Sequence, residues 1–196
     1  MEANSNHIEL LVIGGSAGSL QVIIDMMKKL DDNLSFSIVL VVHRKAHSSS
    51  ILPTLLQQFT TLQVVEIEDK TDIQKNTIYI VPADYHLLFE NKITVSLDSS
   101  EKMNYSRPSI DVTFKSAAET FGENMVGVLL SGANADGVEG LKYIKKNKGK
   151  VWIQDPETAE VDYMPRQAAD QVDYDLLIGP NSLAEYINQL NKHSNN

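Results

Sequence analysis

Gly14-Gly15-Ser16-Ala17-Gly18 has the spacing G-x-S-x-G, and it falls between an apolar run and an amphipathic one. A serine on such a strand-to-helix turn stands where an acyl-transfer nucleophile must stand. The flanking glycines let the chain turn without a Cβ in the way. The amides that open the next helix can hold a developing oxyanion. Two other readings stay open. Glycine-rich turns in this context also cradle phosphates, although this loop has neither the G-x-G-x-x-G spacing nor the Gly-Lys-Ser/Thr end of a P-loop. The loop can also be a turn and nothing more.

A nucleophilic serine needs a base and a group to orient it. His43 directly follows a second apolar run and is the candidate base. A lone histidine leaving a strand is more often a satisfied structural residue. His47 lies further into the same loop, His86 begins a short strand, and His7 and His193 sit in polar tails. Asp136, in Ser131-Gly132-Ala133-Asn134-Ala135-Asp136-Gly137, is the candidate acid. Taken alone it reads better as a helix N-cap. Asp155, at another strand end, is its rival.

These residues need elements to carry them. β-branched, apolar runs at 8–13, 36–42, 125–130, 151–154 and 176–178 read as strands. Helical spacing at 20–30, 51–59, 109–121, 137–146, 165–170 and 182–190 reads as helices. Pro53 is tolerated in a first turn, and Ser48, Ser49 and Ser50 are candidate caps for that helix. The middle differs. Residues 62–68, 77–81, 86–90 and 92–96 read as short strands joined by tight turns, with Glu90-Asn91-Lys92 as a hairpin connection. This predicts a small antiparallel excursion at the edge of the sheet, followed by a loop over 97–107. Strands alternating with helices predict an α/β fold, a mostly parallel sheet with helices on both faces. Ligands of such sheets bind beyond the carboxyl ends of the strands. Ser16, His43 and Asp136 each follow a buried-type strand at that end.

Bulk properties narrow the function classes. The chain has 196 residues, 42% hydrophobic and 22% charged, which suits one well-buried domain. It has no cysteine, which removes disulfides and cysteine-based metal or redox chemistry. A formal net charge of −9 argues against nucleic acid as partner. Lys142, Lys145, Lys146, Lys148 and Lys150 gather at a helix end, where the helix dipole favours cations. Residues 1–7 and 191–196 read as polar tails. Neither a signal peptide nor an apolar run near the roughly 20 residues of a membrane helix is visible. The expected location is cytoplasmic.

The motifs together resemble the catalytic domain of CheB-type chemotaxis protein-glutamate methylesterases, over roughly residues 8–190. Ile13-Gly14-Gly15-Ser16-Ala17-Gly18 resembles the nucleophile loop, and Val42-His43 the base position. Tyr79-Ile80-Val81-Pro82-Ala83-Asp84-Tyr85-His86 is similar to the family's middle turn, and Arg107-Pro108-Ser109-Ile110-Asp111 to its Arg-Pro-Ser-Val-Asp stretch. The run from Gly127 to Gly132, with Asp136-Gly137, resembles the acid loop; Met164-Pro165-Arg166 matches the Met-Pro-Arg signature. The resemblance implies a doubly wound sheet, hydrolysis of glutamate γ-methyl esters on chemoreceptors, and deamidation of certain glutamines. It implies Ser16 as nucleophile, His43 as base, Asp136 as orienter, and the backbone amides of Ala17 and Ala133 as oxyanion donors. Arg107, Met164 and Arg166 become candidates for substrate binding, with structural ion pairs the other reading of the two arginines. No metal or organic cofactor is expected.

Four positions depart from the family's habit. Ala17 replaces Thr, Ser19 a Gly, Ala133 a Met and Tyr163 a Gly. The first removes a hydroxyl contact, and the third makes a pocket wall smaller. The few residues before the first strand lead to the expectation that no receiver domain is fused here. A response regulator acting in trans is then a candidate partner. The expected substrate is a methylated chemoreceptor or related signalling protein, which provides the only tie to a membrane. Two other classes compete: an inactive esterase-like module that binds a signalling partner, and a nucleotide-binding α/β domain.

Overall fold

The computed structural model describes residues 7–45 and 51–193. His47 and the serine caps at 48–50 lie outside them. In chain order the elements are β1 (Leu10–Gly15), α1 (Leu20–Met27), β2 (Ser37–Val42), α2 (Leu52–Gln57), β3 (Gln63–Glu66), β4 (Thr77–Ile80), β5 (His86–Phe89), β6 (Val95–Asp98), α3 (Ile110–Phe121), β7 (Met125–Leu129), α4 (Val138–Lys146), β8 (Lys150–Gln154), α5 (Tyr163–Gln171), β9 (Leu176–Ile178) and α6 (Leu183–His193).

The described residues form a seven-stranded sheet in the order β3-β4-β2-β1-β7-β8-β9, every pairing parallel. The chain winds from β1 outward through β2, then returns to place β7 on the other side of β1. This is the doubly wound α/β arrangement. Side-chain alternation feeds both faces. Leu11 and Ile13 of β1 join a core beneath α1, α2 and α6, with Ile23, Met26, Leu56 and Ile187. Leu10 and Val12 join the opposite core, with Phe114 of α3, Leu141 of α4 and Ala168 of α5. Burying a side chain such as Phe114, which is fully covered, contributes about 1.5–3 kcal/mol.

The middle of the chain corrects one expectation. β3 and β4 are not antiparallel: both are parallel members of the main sheet, with β3 at its edge. The crossover joining them lacks a helix, so nothing periodic announces it. Instead its extended middle runs along the hairpin, where Asp72 bridges Thr94 and the Ile73 amide donates to the Ile93 carbonyl at 2.6 Å. The predicted hairpin itself is present as β5–β6, a separate two-stranded antiparallel sheet. Its turn is tied by Asn91, whose Oδ1 accepts from the amides of Ile93 and Thr94, each at 2.8 Å.

The C-terminal tail is a second correction. The sequence reads 191–196 as a frayed polar tail, but α6 runs through His193 and Asn191 is bound. Its Oδ1 accepts from the Ser35 amide at 2.8 Å, and its Nδ2 donates to the Asn33 carbonyl at 2.6 Å. Asn188, one turn earlier, grips the Asp31 amide and the Lys29 carbonyl, each at 2.9 Å. Two asparagines thereby clamp the segment that leads into β2. The lysine cluster is a solvated helix end as expected, with Lys142 paired to Glu139 and Lys145 to Asp175.

Candidate active site

The loops after β1, β2 and β7 are stitched together at the carboxyl rim of the sheet. The Ser16 amide donates to the Ser131 carbonyl at 2.9 Å, the His43 amide to Gly15 at 3.1 Å, and the Leu130 amide to Gly14 at 2.9 Å. This is the crevice where the strand order reverses, the usual ligand position in such sheets.

Ser16 is half-buried and directly follows β1. It does not sit on a strained elbow. Ser16 is not among the non-glycine residues with positive φ, and the turn is made by Gly18 at φ +80°. A Cβ at Gly18 would meet the Ser131 Oγ at 2.7 Å and the Glu160 Cβ at 2.8 Å. Ser19 is fully buried, and its hydroxyl donates to the Ser16 carbonyl at 2.7 Å. Serine rather than glycine at this position thus adds a bond that holds the loop.

His43 follows β2, and its side chain is 12% exposed. Its Nε2 lies 2.7 Å from the Asp136 Oδ2. Ser16 and His43 line one cavity of about 400 Å³, walled by Ala17, Leu20, Val42 and Leu52. A second cavity of about 450 Å³ also borders His43, lined by Arg44, Lys102, Tyr105 and Arg107. His86 is buried and satisfied. Its Nε2–H donates to the Glu101 carbonyl at 2.8 Å, and its Nδ1 accepts from the Ser109 amide at 3.1 Å.

Asp136 is fully buried and does not cap its own helix. The cap position of α4 is Gly137, which makes no side-chain bond. The Asp136 carboxylate instead accepts from the start of α3: the Ile110 amide at 2.6 Å, the Asp111 amide at 3.0 Å and the Ser109 hydroxyl at 2.9 Å. Asn104 Nδ2 adds a bond at 3.0 Å. Asp111 returns the favour by accepting from the amides of Gly137 at 3.0 Å and Gly140 at 2.7 Å. Each helix start is therefore capped by the other's aspartate, which satisfies backbone donors that have no intrahelical partner. Burial alone would push the Asp136 carboxyl up. The hydrogen bonds from His43 and from the Asp111 and Ile110 amides overcome this and hold it below the usual carboxylate range. Burial dominates at Asp111, and with the neighbouring Asp136 charge it raises that carboxyl despite the Gly140 amide.

Asp155, the rival acid, is spent locally: its Oδ1 accepts from the Glu157 amide at 3.0 Å. Ala17 and Ala133 are both exposed beside the serine. Gly132, just before Ala133, packs so closely that a Cβ would lie 3.0 Å from the Ser16 Cβ and 2.6 Å from the Met164 Cε.

The expected substrate-binding trio fares differently. Met164 has no exposed surface, so it cannot meet a substrate. It supports the acid loop from below, its amide donating to the Gly132 carbonyl at 3.0 Å. Arg107 clamps the 97–107 loop. Its Nη2 meets the Asp84 Oδ1 at 2.6 Å, and its Nη1 donates to the carbonyls of Ser99 and Ser100, each at 2.9 Å. Arg166 pairs with Asp162 at 2.8 Å and Glu157 at 2.9 Å. Asn104, Ser109 and Asp111 complete the network around the carboxylate, and in the sequence only the Arg107–Asp111 motif points to their neighbourhood. Among the described residues, no group of three or more His, Asp or Glu is placed to hold a metal ion, and no helix is long and apolar enough to cross a membrane.

A parallel doubly wound sheet thus carries a buried His–Asp pair and a serine at one rim, the kinds of group that acyl transfer requires. The chain belongs to the CheB methylesterase family, whose description matches residues 11–187. A Leptospira interrogans protein provisionally named protein-glutamate methylesterase/protein-glutamine glutaminase is 37% identical over 95% of this chain and 96% of its own length. A Photobacterium profundum protein-glutamate methylesterase/protein-glutamine glutaminase is 30% identical over 86% of this chain, which spans only 43% of that relative. The crystal structure of the Thermotoga maritima CheB methylesterase catalytic domain superposes with a TM-score of 0.89 at 30% identity, covering 93% of this chain and 98% of that one.

Proposed function

We propose that Ser16, His43 and Asp136 form one acyl-transfer unit that removes the methyl group from glutamate γ-methyl esters on a chemoreceptor-like signalling protein. The catalytic unit in this reading is residues 8–190. The observation that carries this reading is the 2.7 Å bond between His43 and a fully buried carboxylate, at the rim of the cavity that also holds Ser16.

With Nε2–H given to Asp136, His43 keeps Nδ1 as the nitrogen free to accept a proton. Nδ1 takes the Ser16 proton as Oγ attacks the ester carbonyl carbon. The oxyanion is held by the amides of Ala17 and Ala133. Asp136 stabilises the imidazolium. The tetrahedral intermediate collapses, the C–OCH₃ bond breaks, and methanol leaves with the proton from His43. Water then attacks the acyl-serine with His43 again as base, and a glutamate carboxylate is released. A glutamine side chain would follow the same course and release ammonia. Control by a response regulator in trans and a cytoplasmic location complete the reading.

The test is incubation of the protein with methyl-labelled receptor membranes. Labelled methanol from wild type and none from Ser16→Ala is expected. Equal release from both would overturn the assignment. Labelling of Ser16 by a fluorophosphonate probe gives an independent check.

A further inference from the structure

The loop between β6 and α3 ends in a tight turn over 103–106 that projects towards the buried acid. The amides of Met103 and Ser106 donate to each other's carbonyls at 3.1 and 2.9 Å. The central residues Asn104 and Tyr105 are left-handed, with φ +52° and +61°, the pattern of a type I′ turn. That conformation suits Asn and disfavours a bulky residue such as Tyr. Tyr105 accepts it while 99% exposed, so its own packing does not hold it there. The bonds of its neighbour do. Asn104 Nδ2 donates to the Asp136 Oδ1 at 3.0 Å and to the Asp111 Oδ2 at 2.8 Å. With acceptor-only carboxylates on both sides, the NH₂ end must face them.

We propose that Asn104 is a positioning residue for Asp136: its carboxamide, delivered by a left-handed surface turn, bridges two buried carboxylates and fixes the one that faces His43. This rests on the acyl-transfer reading above and adds a residue that acts through the acid. The other Asp136 contacts come from the start of α3 and from His43. Among the described residues, only the Asn104 side chain donates to both carboxylates, so it bridges the two like charges. The titratable groups around Asp136 are His43 after β2, Asp111 on α3 and, beyond it, Lys115. The acid loop and α4 contribute uncharged groups: the Asn134 side chain and the amides of Gly137 and Gly140. Without the carboxamide, Asp111 and Asp136 face each other with one donor fewer on each.

Asn104→Gly and Asn104→Asp decide the matter, because Gly and Asp both tolerate a left-handed turn and neither has the amide NH₂; Gly also removes any donor, including the O–H of a protonated carboxyl. Thermal melts establish that each variant is folded, and either one that melts cooperatively is sufficient. The expected result is a kcat on a small methyl ester reduced by up to roughly 100-fold, the order that an ångström-scale misplacement of a catalytic group costs, with KM little changed. In Asn104→Asp the acid limb of the kcat/KM profile should also move to higher pH, since a third carboxylate joins the pair. The low-field imidazole N–H resonance of the His43–Asp136 bond, recorded without substrate, should shift or broaden. Wild-type kcat, pH profile and resonance in whichever variant is folded would overturn the proposal and leave Asn104 a turn-former. The resonance keeps the two ideas separable. If wild type turns over no methyl ester, the acyl-transfer reading fails, while a resonance that responds to Asn104 still supports the positioning role.

Discussion

Ser16, His43 and Asp136 differ in what else they do. Replacing Ser16 by Ala is expected to lower turnover by about 10⁴-fold or more if the residues act as a unit, measured as methanol release, with the melting temperature nearly unchanged. Asp136→Ala should be milder for turnover and harsher for folding. The carboxylate accepts bonds from Ser109, Ile110, Asp111, Asn104 and His43, and breaking a buried charged network of this kind costs about 3 kcal/mol or more. Asp155→Ala loses one local cap and should change neither turnover nor, by more than about 1 kcal/mol, stability. Parallel denaturant melts and ester assays of the two variants check this; an inactive Asp155→Ala with an active Asp136→Ala would make the choice of acid wrong.

At the level of elements, the rim was legible because strands announce themselves. Ser16 and His43 directly follow apolar, β-branched runs that became β1 and β2, and Asp136 follows β7 by a short loop. What lay hidden was convergence between distant segments. No pattern in 103–111 says that Asn104 and the start of α3 close over a carboxylate from the β7–α4 loop. The parallel placement of β3 and β4 was hidden for another reason: their crossover is extended chain, and periodicity detects a crossover only when it is a helix. Met164 shows the limit of motif matching, since a signature residue beside the site proved to be packing. Gly132 is the tightest joint between that packing and the serine. Gly132→Ala is predicted to cut turnover roughly 10-fold or more, because an ångström-scale displacement of a reacting group costs on that order, while the melting temperature falls by only a few degrees. Met164 can shift its flexible tip to admit the methyl group, but the Ser16 Cβ at 3.0 Å cannot yield without moving the proposed nucleophile.

Across the whole molecule, the paired aspartates leave a signature in acid. The Asp136 carboxyl is held below its ordinary value of 3.8 in the folded state, burial being outweighed by its donors. Its contribution to stability is therefore complete above the unfolded-state value and disappears as pH falls through the lowered folded value. Asp111 works in the opposite sense: raised chiefly by burial, its ionised form costs stability, and the cost is relieved as it takes up a proton on acidification. Comparing wild type with Asp136→Asn by thermal melts, the stability gap should be constant at neutral pH and close below about pH 4. A gap that widens in acid would contradict the depressed carboxyl. Because the same carboxylate seals the start of α3 while Asp111 seals α4, a lineage that abandoned hydrolysis would still be under selection to keep Asp136 merely to fold. Its survival in a silent descendant would thus say nothing about turnover, since folding alone asks for that carboxylate.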